Sequence, residues 1–134
     1  MWDFNWIAVI LAALAGFLVG GLWYGPLFGK AWQAAVGLSD EALKQGANMT
    51  RIFGLTFLLN LFSALVLAHV LKTYGNPGLH VSVMVAGGMA LGFVLPAFAI
   101  NYLFSRKSLK LFAIDGGYWL VIYSLMGVIF SLFA

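Results

Sequence analysis

Residues 6–24 read WIAVILAALAGFLVGGLWY, an apolar run without a single charged side chain. Its length approaches the ~20 residues that a helix needs to cross a hydrocarbon core of ~30 Å. Three more runs of the same kind follow, at roughly 50–71, 81–104 and 111–133. Together the four runs leave no room for a separate soluble domain in 134 residues. Composition agrees: apolar residues make up 63% and charged residues 8%, against about 45–50% and about 25% in an ordinary soluble domain. Mean hydropathy is +1.01. So few charges cannot wet the surface of a soluble protein of this size. The expected fold is therefore all-α, an integral membrane bundle of four transmembrane helices forming one domain over residues 1–134.

The leader, residues 1–5, carries no lysine or arginine, and the first run continues well past a short signal-type core. It is expected to be a retained span rather than a cleavable signal. At its far end Trp23-Tyr24-Gly25-Pro26 places interfacial aromatics before a helix breaker. Residues 72–78, KTYGNPG, make a tight turn between the second and third spans. A short basic run, residues 105–110, joins the third and fourth.

The longest connection, residues 25–49, sets Phe28, Trp32 and Val36 at helical spacing beside Lys30 and Gln33. This predicts a short helix lying at the membrane interface. Ser39-Asp40-Glu41-Ala42 reads as a cap with acidic first-turn residues opening another. Basic residues divide unevenly. Lys30, Lys44, Arg51, Arg106, Lys107 and Lys110 fall on one side, and Lys72 alone on the other. The positive-inside rule then predicts an inner (plasma) membrane protein with cytoplasmic basic connections and both termini on the periplasmic or outer side. The small net charge of +3 marks orientation and excludes a nucleic-acid partner, which would need a basic, solvated face.

Helices in lipid associate through close packing and hydrogen bonds. Ala8, Ala12, Gly16 and Gly20 form one smooth ridge on the first span, while Gly88 and Gly92 mark the third. Gly116, Ser124, Gly127 and Ser131 mark the fourth. Such faces suit a homo-oligomer as well as a monomer. Membrane lipids are the expected surroundings.

Polar groups at membrane depth need a partner or a purpose. Thr56, Asn60 and Ser63 share a face of the second span. Asn60 lies about 13 Å deep and Pro96 of the third span about 12 Å, at 1.5 Å per residue. Pro96 cannot bond the Gly92 carbonyl, so an Asn60 amide reaching that carbonyl is the first reading and a ligand contact the second. Asp115, about 6 Å inside the fourth span, shares a depth with Asn101. It is expected either to act as an interfacial cap or to pair with Arg51, near Arg106 and Lys110. With Asn101 the pair would line a cytoplasm-facing polar pocket.

His69 and His80 flank the outer turn as weak metal candidates, since two imidazoles without a carboxylate or thiolate make a thin site. The chain has no cysteine, which excludes disulfides, thiolate metal sites and cysteine nucleophiles. No phosphate loop, GxSxG or HExxH motif occurs, so no catalytic residue and no cofactor is assigned.

Three stretches carry a resemblance: residues 23–32 (WYGPLFGKAW), 101–104 (NYLF) and 114–118 (IDGGY). Through them the chain resembles the bacterial "domain of unknown function 1761" membrane family along nearly its whole length. The resemblance implies a compact four-span inner-membrane protein and no activity, and it draws attention to Asn101 and Asp115. A faint echo between residues 27–30 and 103–107 hints at two related hairpins. The leading functional expectation is a small transport or channel-like protein for a small solute or ion, its path running past Arg51, Thr56, Asn60, Ser63, Pro96, Asn101 and Asp115. A structural or accessory membrane protein is the alternative. A lipid- or quinone-modifying enzyme stands third.

Overall fold

The computed structural model describes residues 4–45 and 48–134; the first part of the leader, 1–3, and residues 46–47 of the long connection lie outside the described residues. Helix α1 (Trp6–Leu22) passes through a π-type turn at Trp23–Leu27 into α2 (Gly29–Val36), which is followed by α3 (Asp40–Lys44). Helix α4 (Met49–Thr73) leads to α5 (Leu79–Met89), which continues through a second π-type turn at Ala90–Val94 into α6 (Leu95–Phe104). Helix α7 (Leu109–Leu132) ends the bundle. No strand occurs among the described residues. Four stretches, Trp6–Leu27, Met49–Thr73, Leu79–Phe104 and Leu109–Leu132, are long and apolar enough to cross a membrane. The protein is an all-α, multi-pass chain.

Side-chain caps start most of these helices. The side-chain oxygens of Asn5, Asn48 and Ser108 accept from the backbone N–H groups of Ala8, Arg51 and Leu111 at 3.2, 3.0 and 3.1 Å. Ser39 does the same for α3, accepting from Ala42 at 3.1 Å. Each satisfies a donor that a helix start leaves orphaned, a contribution of about 1 kcal/mol. At the other end of α4, Gly75 takes φ +80°. Its N–H donates to the Lys72 carbonyl and that of Asn76 to the Leu71 carbonyl, both at 2.9 Å. This pairing closes the last helical turn and reverses the chain.

The two internal prolines stand differently: Pro26 lies one residue before the end of the first span at Leu27, and Pro96 lies within the third. At Pro26 the chain widens: the Phe28 N–H reaches back five residues to the Trp23 carbonyl at 2.8 Å, and Gly25 leaves helical geometry at φ −105°, ψ −105°. At Pro96 the widened turn comes just before, with the Leu95 N–H donating to the Ala90 carbonyl. Pro96 thus stands near the start of α6, where a missing N–H is tolerated.

Around the bundle, α1 packs against both α4 and α7, and α5 packs against α7, while α4 and α5 scarcely touch despite their tight turn. The core is built from small side chains. Ala8, Ala12, Ala13 and Gly16 of α1 meet Ala64, Leu67 and Ala68 of α4, with Ile122 and Met126 of α7 beside them. Gly88 and Gly92, in contrast, face outward. Large apolar side chains such as Leu18, Phe62, Phe93 and Leu103 also point outward, as expected where lipid is the surrounding solvent.

Helices α5 and α7 approach each other closely. A Cβ on Gly127 would stand 2.8 Å from the Ser82 carbonyl oxygen. Because that obstacle is backbone, Gly127→Ala is expected to separate the helices and destabilise the protein by about 1–3 kcal/mol, read as a lowered Tm in detergent. Gly88→Ala, whose Cβ would meet open space, is expected to leave Tm unchanged.

Candidate functional site

The end of the bundle that carries the basic connections holds its most polar internal cluster. Its foundation is the turn at Trp23–Leu27. Gly29 packs so closely on this turn that a Cβ there would lie 2.7 Å from the Tyr24 carbonyl oxygen. The turn aims two aromatic side chains at α7. The Trp23 indole N–H donates to the Ile114 carbonyl at 2.9 Å, its ring lying over Gly117, where a Cβ would stand 3.0 Å from the indole. The Tyr24 hydroxyl donates to Asp115 Oδ1 at 2.6 Å.

A second hydroxyl completes the clamp. Tyr102 of α6 donates to Asp115 Oδ2 in a short hydrogen bond. One carboxylate therefore joins the exit of the first span, the end of the third and the start of the fourth. Hydrogen bonds to a charged acceptor contribute about 1.5–3 kcal/mol each. Rings surround this point. Tyr24 lies edge-on to Trp32 (centroids 6.0 Å apart) and to Tyr118 (5.4 Å). Tyr102 stacks on Phe98 at 5.8 Å and meets Phe112 edge-on at 6.4 Å.

The cap expected at Asp115 is supplied by Ser108 instead. Asp115 lies about 9 Å further along α7, at 1.5 Å per residue. The expected ion pair with Arg51 does not form; the partners of Asp115 are two tyrosine hydroxyls, one on each carboxylate oxygen. The physical reason is placement: Arg51 is exposed at the start of α4, which packs on α1, whereas Asp115 faces the α1 exit turn and α6. Asn101, next to Tyr102, is exposed and does not join the cluster.

The deeper residues separate in the same way. Asn60 is 1% exposed, but its amide nitrogen makes no hydrogen bond and so does not reach the Gly92 carbonyl. Asn60 turns instead toward α1 and α7, packing against Gly16 and the Tyr118 hydroxyl. That hydroxyl donates to the Gly16 carbonyl at 2.8 Å. On a helical wheel Thr56 and Ser63 stand about 40° and 60° to the same side of Asn60. Thr56 is exposed and Ser63 half-buried. Pro96 is exposed as well. Near the other end, His69 lies edge-on to Phe4 at 6.1 Å, and His80 lines an open apolar groove with Met84 and Val128. Among the described residues no three His, Cys, Asp or Glu side chains gather as metal ligands would.

Tyr24, Tyr102 and Trp23 escape a reading by residue class, because tyrosine and tryptophan near the end of an apolar run are expected as interfacial anchors. The legible signal was positional. Residues 23–32, 101–104 and 114–118, far apart in sequence, converge on this one hydrogen-bonded cluster. A family model described as "Protein of unknown function (DUF1761)" matches residues 7–131. The chain belongs to that family. No curated protein and no solved structure matches it. The family's description assigns no activity, so the chemistry of this DUF1761 chain has to be argued from the cluster itself.

Removing either hydroxyl tests the clamp. Tyr24→Phe and Tyr102→Phe are each expected to destabilise the protein by about 1–3 kcal/mol, measured by thermal unfolding in detergent. In the Asp115→Asn background the same substitutions are expected to cost clearly less. Such non-additivity is the signature of a direct interaction.

Proposed function

We propose that the protein is a small transport or channel-like membrane protein that passes a small solute or ion, with Asp115, Tyr24 and Tyr102 as the polar point through which the solute is handled. The observation that carries this reading is a carboxylate inside a spanning helix, held by neutral hydroxyls from two other spans. Ionisable groups at such positions are rare and mark solute or ion paths. Spans interrupted near a polar site, here by the turns at Trp23–Leu27 and Ala90–Val94, are a recurring feature of transporters. Breaking the two hydroxyl contacts would loosen the first and third spans from the fourth at this end of the bundle alone, the kind of small rearrangement that a gate requires.

In this reading the basic connections face the cytoplasm of an inner membrane, as the distribution of lysine and arginine favours. The helix of the first connection then lies along the interface. A second reading, a structural or accessory protein that assembles with itself or a partner, is favoured by the outward-facing Gly88 and Gly92. Here the tyrosine clamp would only fix packing. A lipid- or quinone-modifying enzyme is least supported, because the histidines stand away from Asp115.

Reconstitution distinguishes the two. Liposomes carrying the purified protein are expected to dissipate an imposed gradient of protons, potassium or methylammonium faster than empty liposomes. Asp115→Asn should slow that flux by about tenfold or more, and Gly88→Ala should leave it unchanged. Flux at the level of empty liposomes for all three probes would favour the accessory reading, as would one partner copurifying in fixed ratio.

A further inference from the structure

We infer that Asp115 and the rings around it bind a small organic ammonium cation. This inference rests on the site proposed above and names the class of solute it takes. An ionised carboxylate offers about four lone-pair positions, and the two tyrosine hydroxyls use two of them. Both donors are neutral, so they orient the carboxylate without cancelling its charge. Among the described residues no lysine or arginine pairs with it. Asp115 and Tyr102 are half-buried rather than sealed.

The walls select among cations. Tyr24, Trp32, Tyr102, Phe112 and Tyr118 come from four segments of the chain, and Trp32, Phe112 and Tyr118 pack edge-on against the two tyrosines that hold the carboxylate. An aromatic face attracts a cation whose charge lies within about 6 Å of its centre, and methylated ammonium groups are the cations that such walls suit best. Calcium or magnesium would need about six oxygen ligands, whereas this cluster offers one carboxylate and two phenols. Nitrogen- and sulfur-seeking metals lack their ligands here as well. Anions would meet the carboxylate itself. The basic side chains at this end, Lys110 and Arg51 among them, are exposed, and none of them takes an oxygen of the carboxylate.

The test uses the full chain in detergent. Tetramethylammonium chloride and methylammonium chloride are titrated against sodium chloride at equal ionic strength, with tryptophan fluorescence as the readout. A saturable response to at least one ammonium salt, absent with sodium, is expected. Asp115→Asn should weaken it tenfold or more, and Trp32→Leu, which leaves the clamp intact, about three- to tenfold. Should Asp115→Asn fail to fold, Trp32→Leu and Phe112→Leu decide. An ammonium response equal to that with sodium would overturn the inference, and so would saturable binding that all three variants leave unchanged. Proton or potassium flux in liposomes without ammonium binding would overturn this inference and leave the transport reading standing. Ammonium binding without flux would do the reverse.

Discussion

A carboxylate inside an apolar helix has to be answered by the protein, because lipid cannot solvate it. In this chain the answer comes from Tyr24 and Tyr102, whose hydroxyls take one oxygen each of Asp115. The consequence reaches beyond the site. Helices that gain little from mutual hydrophobicity need directed interactions to fix how they stand, and these two bonds tie three of the four spans at their basic end. Trp23, bonded to the neighbouring Ile114 carbonyl, adds a further tie at the same level.

The clamp depends in turn on two interruptions of helical geometry. Without the turn at Trp23–Leu27 the first span would carry Tyr24 along a straight helix. With Gly25 out of helical geometry and Gly29 packed against the Tyr24 carbonyl, the chain bends back and lays α2 beside α7. The turn at Ala90–Val94 plays the corresponding part in the third span, absorbing Pro96 ahead of the helix that carries Tyr102. Pro26 thus stands at the kink that closes the first span, whereas Pro96 is carried within the third behind a widened turn. A widened turn inserts an extra residue and rotates everything after it.

Toward the other end the bundle is held differently. Alanines and glycines bring backbones together, as where Gly127 meets the Ser82 carbonyl. Among the described residues two polar side chains are buried there: Asn60, beside Gly16 and Tyr118 with its amide nitrogen unbonded, and Ser82, whose hydroxyl donates to the Pro77 carbonyl at 2.8 Å. Tyr118 links the two regions: its hydroxyl holds Gly16 near Asn60, and its ring packs on Tyr24, which holds Asp115. A disturbance at the carboxylate is therefore mechanically connected to the middle of the bundle through one aromatic side chain.

The sequence by itself determined the all-α architecture, since four apolar runs of spanning length admit little else. It also singled out Asp115 and Asn60 as polar groups needing an explanation. It could not say who their partners are. Asp115 and Arg51 share a depth, but depth is only one coordinate; which helix stands next to which, and how each is rotated, decides whether two groups meet. Two widened turns altered those rotations by an amount that no spacing in the sequence displays. The kink after Tyr24 and the widened turn before Tyr102 accompany the meeting of those two hydroxyls with the carboxylate, while Asn101, Pro96 and, on α4, Arg51 face outward. Only the tertiary structure decided that the charge would be met by hydroxyls and rings rather than by a cation from the chain itself.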